Sequence, residues 1–378
     1  MSKLRIGVVG CGDVAQHTYL PGLARLHREG VLDFVAVADS VEGRAAALAE
    51  KYAVPRAFLS AGALLQSDVD LVVNLTPMQA HAEITLAALA AGKHVYTEKP
   101  IATALDDAQA IVAAARSAGL MVGAAPALLT HPDIQQTLRW LWADIIGRVC
   151  FVRARASNPG PDRITDFLTD PTWFHKTGGG PLFDLGIYPL HVITGALGPA
   201  RRVTAFSGIA LPERTVVSGA AKGKTIQVES DDNTHLLLDF GDAAYASIDA
   251  TYCVLSSQGP RMEFYGADGV MNLASTADEP PVLIFRADDA HGLRGWVTPE
   301  KVYRGRVNPP RRPPEPPAYS LVNGVAHMVD VLEGRSPLLL TAEHAAHVLE
   351  ILLAVQQSAR EGRAVEIDST FARPALAG

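Results

Sequence analysis

Three stretches of the 378-residue chain carry residue types in spacings that can do chemistry. The first is Gly10-Cys11-Gly12-Asp13-Val14-Ala15, a G-x-G-x-x-A turn directly after the apolar run Leu4–Val9. Gly10 permits a tight turn, Gly12 lets a pyrophosphate approach the main chain, and Ala15 lets the following helix lie close to the strand. The first turn of that helix has N–H groups without intrahelical acceptors, which favours an anion. A second apolar run ends in Asp39, where a carboxylate would accept hydrogen bonds from an adenosine ribose. Its offset from Gly10 exceeds the roughly twenty residues usual for this acid, and a longer first helix absorbs the difference. These features point to a dinucleotide held by Gly10, Cys11, Gly12, Asp13 and Val14, with Asp39 favouring NAD. Ser40 and Arg44 beside it could welcome a 2′-phosphate, so NADP stays open.

The second stretch, His94-Val95-Tyr96-Thr97-Glu98-Lys99-Pro100, places a carboxylate and an ammonium just past the carboxyl end of a strand, where open α/β sheets bind ligands. Taken alone, such a pair is more often solvated surface charge than a functional site. Pro100 is a candidate for a cis bond, which only proline makes cheap. The third stretch, Leu182 to Ile193, is apolar nearly all round and is expected to be a buried helix with Pro181 near its start. Asp184, Tyr188 and His191 interrupt it and share one stripe of an α-helical wheel. Burying all three without partners would cost several kcal/mol, so the stripe should face a polar cavity or a satisfied internal network.

These residues need elements to position them. Up to about residue 125, short β-rich runs alternate with Ala/Leu-rich segments, the pattern of βαβ units and a buried parallel sheet. Strands are expected at Leu4–Val9, Phe34–Ala38, Leu71–Leu75, His94–Thr97 and Leu120–Gly123. Helices are expected near Val14–Glu29, Val41–Lys51, Ala80–Ala91 and Ala104–Ala118. After Pro126 a helix near Ile134–Ala143 is followed by runs of period-two alternation at Cys150–Ala156, Asn233–Phe240 and Ala243–Thr251. The last two meet at Gly241-Asp242, a hairpin signal. The proline-rich run Asn308–Pro317 reads as an extended connector, and helical patterns at Tyr319–Leu332 and Ala342–Arg360 follow it. The chain divides on this reading into domains at 1–125 and 126–378.

Composition narrows the partners. Apolar residues at 48% and charged residues at 19% exclude disorder as the dominant state, and a net charge of −7 without basic tracts makes nucleic acid and anionic membrane poor partners. Cys11, Cys150 and Cys253 lack metal-ligand spacing and read as reduced thiols of a cytoplasmic chain. No window is long and apolar enough to span a membrane, and the start lacks the apolar region of a signal peptide. His344 and His347 are three apart on a helix without an apparent third ligand, so no metal site is proposed.

In order and spacing, the G-x-G-x-x-A turn, Leu75-Thr76-Pro77 with His81, Glu98-Lys99-Pro100, and Gly178-Gly179-Gly180-Pro181-Leu182-Phe183-Asp184-Leu185-Gly186-Ile187-Tyr188 resemble the glucose-fructose oxidoreductase / inositol dehydrogenase (Gfo/Idh/MocA) family over essentially the whole chain. The resemblance implies an α/β protein. Its N-terminal domain would be a Rossmann doubly wound parallel sheet, and its C-terminal α/β domain would hold a largely antiparallel open sheet that carries the subunit interface of a homodimer or homotetramer. It implies NAD(P)-dependent hydride transfer to or from a sugar, polyol or related carbohydrate-like small molecule. It further implies that Lys99 binds the reacting oxygen, Glu98 contacts the nicotinamide-side ribose, and Thr76, Pro77 and His81 pass along the cofactor. The family's helix presents an acid and a proton carrier, here Asp184 and Tyr188. Tyr188 is a poor base unless the Lys99 cation stabilises its phenolate, and His191 competes for the proton role. Gly123-Ala124-Ala125-Pro126-Ala127 departs from relatives that carry polar residues there. Trp173, Phe174, His175 and Lys176 are candidates to line the pocket, with the rings stacking on a sugar face; core packing is an equal alternative for the aromatics. A redox-neutral NAD-dependent glycoside hydrolase and a non-catalytic NAD-binding regulator are the alternatives.

Overall fold

The uninterrupted apolar runs of the first third pair as parallel strands in the computed structural model, which describes residues 3–164, 169–274, 281–288, 294–298 and 320–376. Strands β1 (Arg5–Val9), β2 (Asp33–Ala38), β3 (Arg56–Phe58), β4 (Leu71–Asn74), β5 (His94–Thr97) and β6 (Val122–Ala124) form one sheet in the order β3-β2-β1-β4-β5-β6. All five pairings are parallel. The order reverses between β1 and β4, and at such a switch point the strand ends leave a crevice for a ligand. Ile6, Val8, Val72, Val73 and Val95 are wholly buried, as strands covered on both faces require.

The connecting helices are α1 (Leu20–Arg28), α2 (Arg44–Tyr52), α3 (Ala61–Leu65), α4 (His81–Ala90) and α5 (Leu105–Ala118). The first helical segment is not uniform: a π-helical turn at Ala15–Tyr19 precedes α1. Pro21 explains this. It has no N–H to give and its ring would collide with the carbonyl four residues back, so the turn ahead of it widens. The helix expected from Val41 starts only at Arg44, because Gly43 sits in the left-handed region at φ 76° and caps it. The short β3 and α3 carry no periodic signal in the sequence.

Beyond α6 (Pro132–Trp142), a nine-stranded sheet runs in the order β16-β15-β14-β13-β7-β12-β11-β8-β17. Its members are β7 (Val149–Ser157), β8 (Arg202–Gly208), β11 (Asn233–Asp239), β12 (Tyr245–Thr251), β13 (Met262–Gly266), β14 (Gly269–Leu273), β15 (Val282–Arg286), β16 (Gly295–Val297) and β17 (Val365–Glu366); β9 (Glu213–Thr215) and β10 (Thr225–Gln227) form a separate ribbon. Only β7 and β12 pair parallel; the rest are antiparallel. The expected hairpin joins β11 and β12, with Gly241, Asp242 and Ala243 all at positive φ. Helix α7 (Ile187–Leu197) packs on this sheet and is preceded by a second π-helical turn, Leu182–Gly186, again just ahead of a proline, Pro189.

The chain forms two compact units that a single cut after residue 125 does not separate. The first comprises the described residues within Met1–His131, Pro317–Leu349 and Thr370–Gly378; the second those within Pro132–Pro316 and Glu350–Ser369. The C-terminal α8 (Asn323–Leu332) returns to the first unit because small residues let it approach closely: Gly324 lies against the Tyr96 ring and Gly123 against Met328, with no room for a Cβ at either. The Ala124 amide also bonds the Leu340 carbonyl at 2.9 Å. The last helix, α9 (Ala342–Glu361), contributes to both units. Its His344 stacks on Phe371 at 4.1 Å and His347 lies against the same ring at 5.1 Å. The proline-rich run Asn308–Pro317 lies outside the described residues. No helix among the described residues is long and apolar enough to cross a membrane.

Candidate functional site

In the first unit, the turn after β1 is fixed by its own contacts. Gly10 has φ 94°, and a Cβ there would lie 2.6 Å from the Leu75 carbonyl carbon, so no other residue fits. A Cβ at Gly12 would meet nothing within 4 Å, which leaves open space where a pyrophosphate would lie. The Asp39 carboxylate braces the turn: Oδ2 accepts from the Cys11 amide at 2.8 Å and Oδ1 from the Val41 amide at 2.8 Å. Arg44 stands 3.4 Å from both oxygens. Cys11 is fully buried, and burial together with the Asp39 charge pushes its thiol up to about 12. Ser40 and Asp13 are exposed, Val14 is half-buried, and Asp13 pairs with His17 one turn on.

The Thr76 loop and the Lys99 turn are tied together by His81 and by Asn74, a residue that the sequence did not single out. Asn74, wholly buried at the end of β4, accepts from the Thr76 hydroxyl at 2.7 Å and donates to the His81 carbonyl at 3.0 Å and to Thr85. His81 does more than border Thr76 and Pro77. One ring nitrogen lies 2.8 Å from the Thr76 carbonyl and the other 2.7 Å from the Pro100 carbonyl, so the imidazole bridges the ends of β4 and β5. The Lys99–Pro100 bond is cis.

Glu98 is 7% exposed and both its oxygens are engaged, one by the Tyr19 phenol at 2.7 Å and one by the Lys99 amide at 2.8 Å. The π-turn delivers Tyr19 to this point. Burial, then the Glu98 charge, raises the Tyr19 phenol well above its usual value and keeps it a donor. Lys99 is half-buried, its main chain held on one side through Glu98 and on the other through Pro100. Nothing in the sequence singles out Tyr19; the bulged turn reveals its partner.

In the second unit the glycine run earns its composition. Gly178 and Gly180 have φ of 88° and 95°, and a Cβ at Gly179 would lie 2.6 Å from the Phe174 carbonyl oxygen. The Gly180 amide bonds that same carbonyl at 2.7 Å. Asp184 lies in the π-turn and Tyr188 in α7, both half-buried, while His191 is 3% exposed with one ring nitrogen 2.9 Å from the Ile187 carbonyl. The single α-helical stripe expected from the wheel therefore does not extend across Asp184, because a π-turn advances fewer degrees per residue; α periodicity begins at Ile187. Asp184 accepts from the Tyr252 phenol at 2.8 Å, a partner from just beyond β12. Of the four candidate pocket residues, Trp173 is 52% exposed, but His175 is wholly buried and Lys176 pairs with Glu229, so these two face other neighbours.

This chain matches two family models: "Oxidoreductase family, NAD-binding Rossmann fold" over residues 4–125 and "GFO/IDH/MocA C-terminal domain" over residues 134–272. It is 33% identical over 261 residues to a dTDP-3,4-didehydro-2,6-dideoxy-alpha-D-glucose 3-reductase of Streptomyces violaceoruber, covering 68% of this chain and 71% of that protein. An enzyme of the same name from Actinomadura kijaniata is 32% identical over 198 residues, 52% of this chain and 57% of that protein. Among solved structures, levoglucosan dehydrogenase in complex with NADH and L-sorbose superposes with a TM-score of 0.79 at 19% identity, covering 97% of this chain and 99% of that one.

Proposed function

The chain belongs to the Gfo/Idh/MocA oxidoreductase family, and from that premise we propose that it moves a hydride between NAD and a sugar or sugar-like hydroxyl or keto compound. The observation that carries this reading is the Glu98-Lys99-Pro100 turn at the carboxyl edge of the parallel sheet, locked by Tyr19 on one side and His81 on the other. A lysine held there by buried groups is built for a ligand rather than for solvent.

When bound, NAD supplies the hydride acceptor and its reduced form the donor. The open space beyond Gly12 and the braced Asp39 fit its adenosine diphosphate half. Lys99 binds the reacting oxygen and stabilises negative charge that develops on it. Tyr188 takes the hydroxyl proton during oxidation and returns one during reduction, a role worth typically 10²–10⁴-fold in rate. Asp184 and His191 complete the substrate side. Relatives named as sugar reductases and dehydrogenases support a carbohydrate substrate.

A panel of aldoses, ketoses, polyols and dihydrodiols, followed by nicotinamide absorbance with NAD and with NADP, identifies the substrate. Lys99→Ala is expected to lower turnover at least about 100-fold while leaving NADH binding, read by fluorescence titration, unchanged. Tyr188→Phe is expected to cost more turnover than His191→Ala. Parental activity in Lys99→Ala would remove the catalytic assignment, and a larger loss from His191→Ala would move the proton role there.

The second unit also supports self-association as the mode of assembly. Register places Tyr245, Phe151, Tyr265, Val270, Phe285 and Trp296 side by side across six strands on one face of the sheet. We read this row as the contact between copies of the chain.

A further inference from the structure

Below the π-turn that carries Asp184, the second unit holds a charged core that no substrate role requires. Arg214 is 1% exposed, and Asp162, Asp232 and His175 are wholly buried. The guanidinium donates to Asp232 at 2.9 Å, to Asp162 at 3.4 Å, and to the carbonyls of Pro159 and Tyr252, each at 3.1 Å. Asp232 also takes the Ala210 amide at 2.6 Å and the Leu211 amide at 3.2 Å, while its own carbonyl accepts the Tyr252 amide at 2.9 Å and the Thr251 hydroxyl at 3.0 Å. His175 stands 3.1 Å from Asp162 and packs edge-on against the Tyr252 ring at 5.6 Å.

A core of this kind is a poor way to add stability, because removing charges from water costs about what their attraction returns, and apolar residues of like volume often do as well. Its geometry has a narrower result. Tyr252 is fixed at its amide by Asp232, at its carbonyl by Arg214 and at its ring by His175. The one side-chain polar group it carries then donates to Asp184 Oδ2 at 2.8 Å.

We propose that Tyr252 is a positioning residue: anchored from behind by the Arg214 core, its phenol holds the Asp184 carboxylate in the orientation in which that group serves the substrate. The inference rests on the reading of Asp184 as a substrate-side group given above. Burial and the Asp184 charge raise the Tyr252 phenol well above its usual value, so it stays protonated and donates throughout the working pH range.

The test is a double-mutant cycle on the full chain with its best substrate and NAD. Tyr252→Phe keeps the ring and removes the donor. It is expected to lower kcat about 10-fold, as loss of alignment at a reacting group does, with the KM for NAD unchanged. In an Asp184→Asn background the same change is expected to cost nothing further, because both act through one contact. An equal loss in both backgrounds, or no loss in Tyr252→Phe while Asp184→Asn is impaired, overturns the positioning role and leaves the substrate-side reading of Asp184 intact. Full activity in Asp184→Asn overturns both. Should Tyr252→Phe not fold, 3-fluorotyrosine at position 252 carries the test: its fluorine resonance must move on Asp184→Asn and stay in place on Tyr188→Phe, and an unmoved resonance in the former ends the proposal.

Discussion

The Asp39 carboxylate braces the turn that we propose holds the dinucleotide. Its two oxygens already hold the Cys11 and Val41 amides, so it fixes the phosphate turn as well as the place where the adenosine ribose would sit. A carboxylate has lone pairs to spare for both tasks; an amide does not, since its NH₂ would confront a donor. Asp39→Asn is therefore expected to raise the KM for NAD about 10-fold, the loss of roughly one charge-assisted hydrogen bond, with kcat little changed. The same change removes the charge that repels a 2′-phosphate and frees Arg44, now 3.4 Å from Asp39. The ratio of kcat/KM for NADP to that for NAD should rise. Steady-state kinetics with both cofactors checks this, and an unchanged ratio would detach Asp39 from cofactor choice.

At the scale of elements, both π-helical turns lie just ahead of a proline and both present a site group: Tyr19 to Glu98 in one unit, Asp184 to Tyr252 in the other. The extra residue of a π-turn changes which side chains share a face, so α-helical spacing gives the wrong neighbours there. The Arg214 core is likewise an element-level device, joining the β9 ribbon to the ends of β11 and β12. Arg214→Met would leave Asp162 and Asp232 buried without their cation. Equilibrium denaturation should show a loss of about 3–5 kcal/mol, the usual cost of breaking a buried ion pair from one side. A change under about 1 kcal/mol would mean that water reaches these carboxylates in the native state.

At the scale of the whole molecule, the chain builds its two units from interleaved segments, and the outer face of the nine-stranded sheet keeps large apolar groups in view. Phe206 is 85% exposed and Trp296 53%. Phe151 and Tyr265 stack at 5.7 Å in the middle of the aromatic row. This row of large side chains is the surface that we propose pairs with a second copy of the chain. Phe151→Glu is expected to shift sedimentation from an oligomer to a monomer with the circular dichroism spectrum retained. An unaltered sedimentation coefficient would remove this face from the assembly.

The sequence by itself determined the parallel sheet, the phosphate turn and the lysine turn, because each is written in neighbouring residues: apolar runs that only a buried strand tolerates, glycines that only a tight turn needs, and an acid at a strand end. It also separated an antiparallel half from a parallel one through period-two alternation. What it left undecided are the contacts between residues distant in the chain. Tyr19 with Glu98, His81 with Pro100, Asp184 with Tyr252 and Arg214 with its two carboxylates carry no local pattern. The return of α8 to the first unit is likewise invisible to a linear reading. Such pairings exist only once the chain has packed, since a buried polar group takes whichever partner the tertiary structure brings within hydrogen-bonding distance.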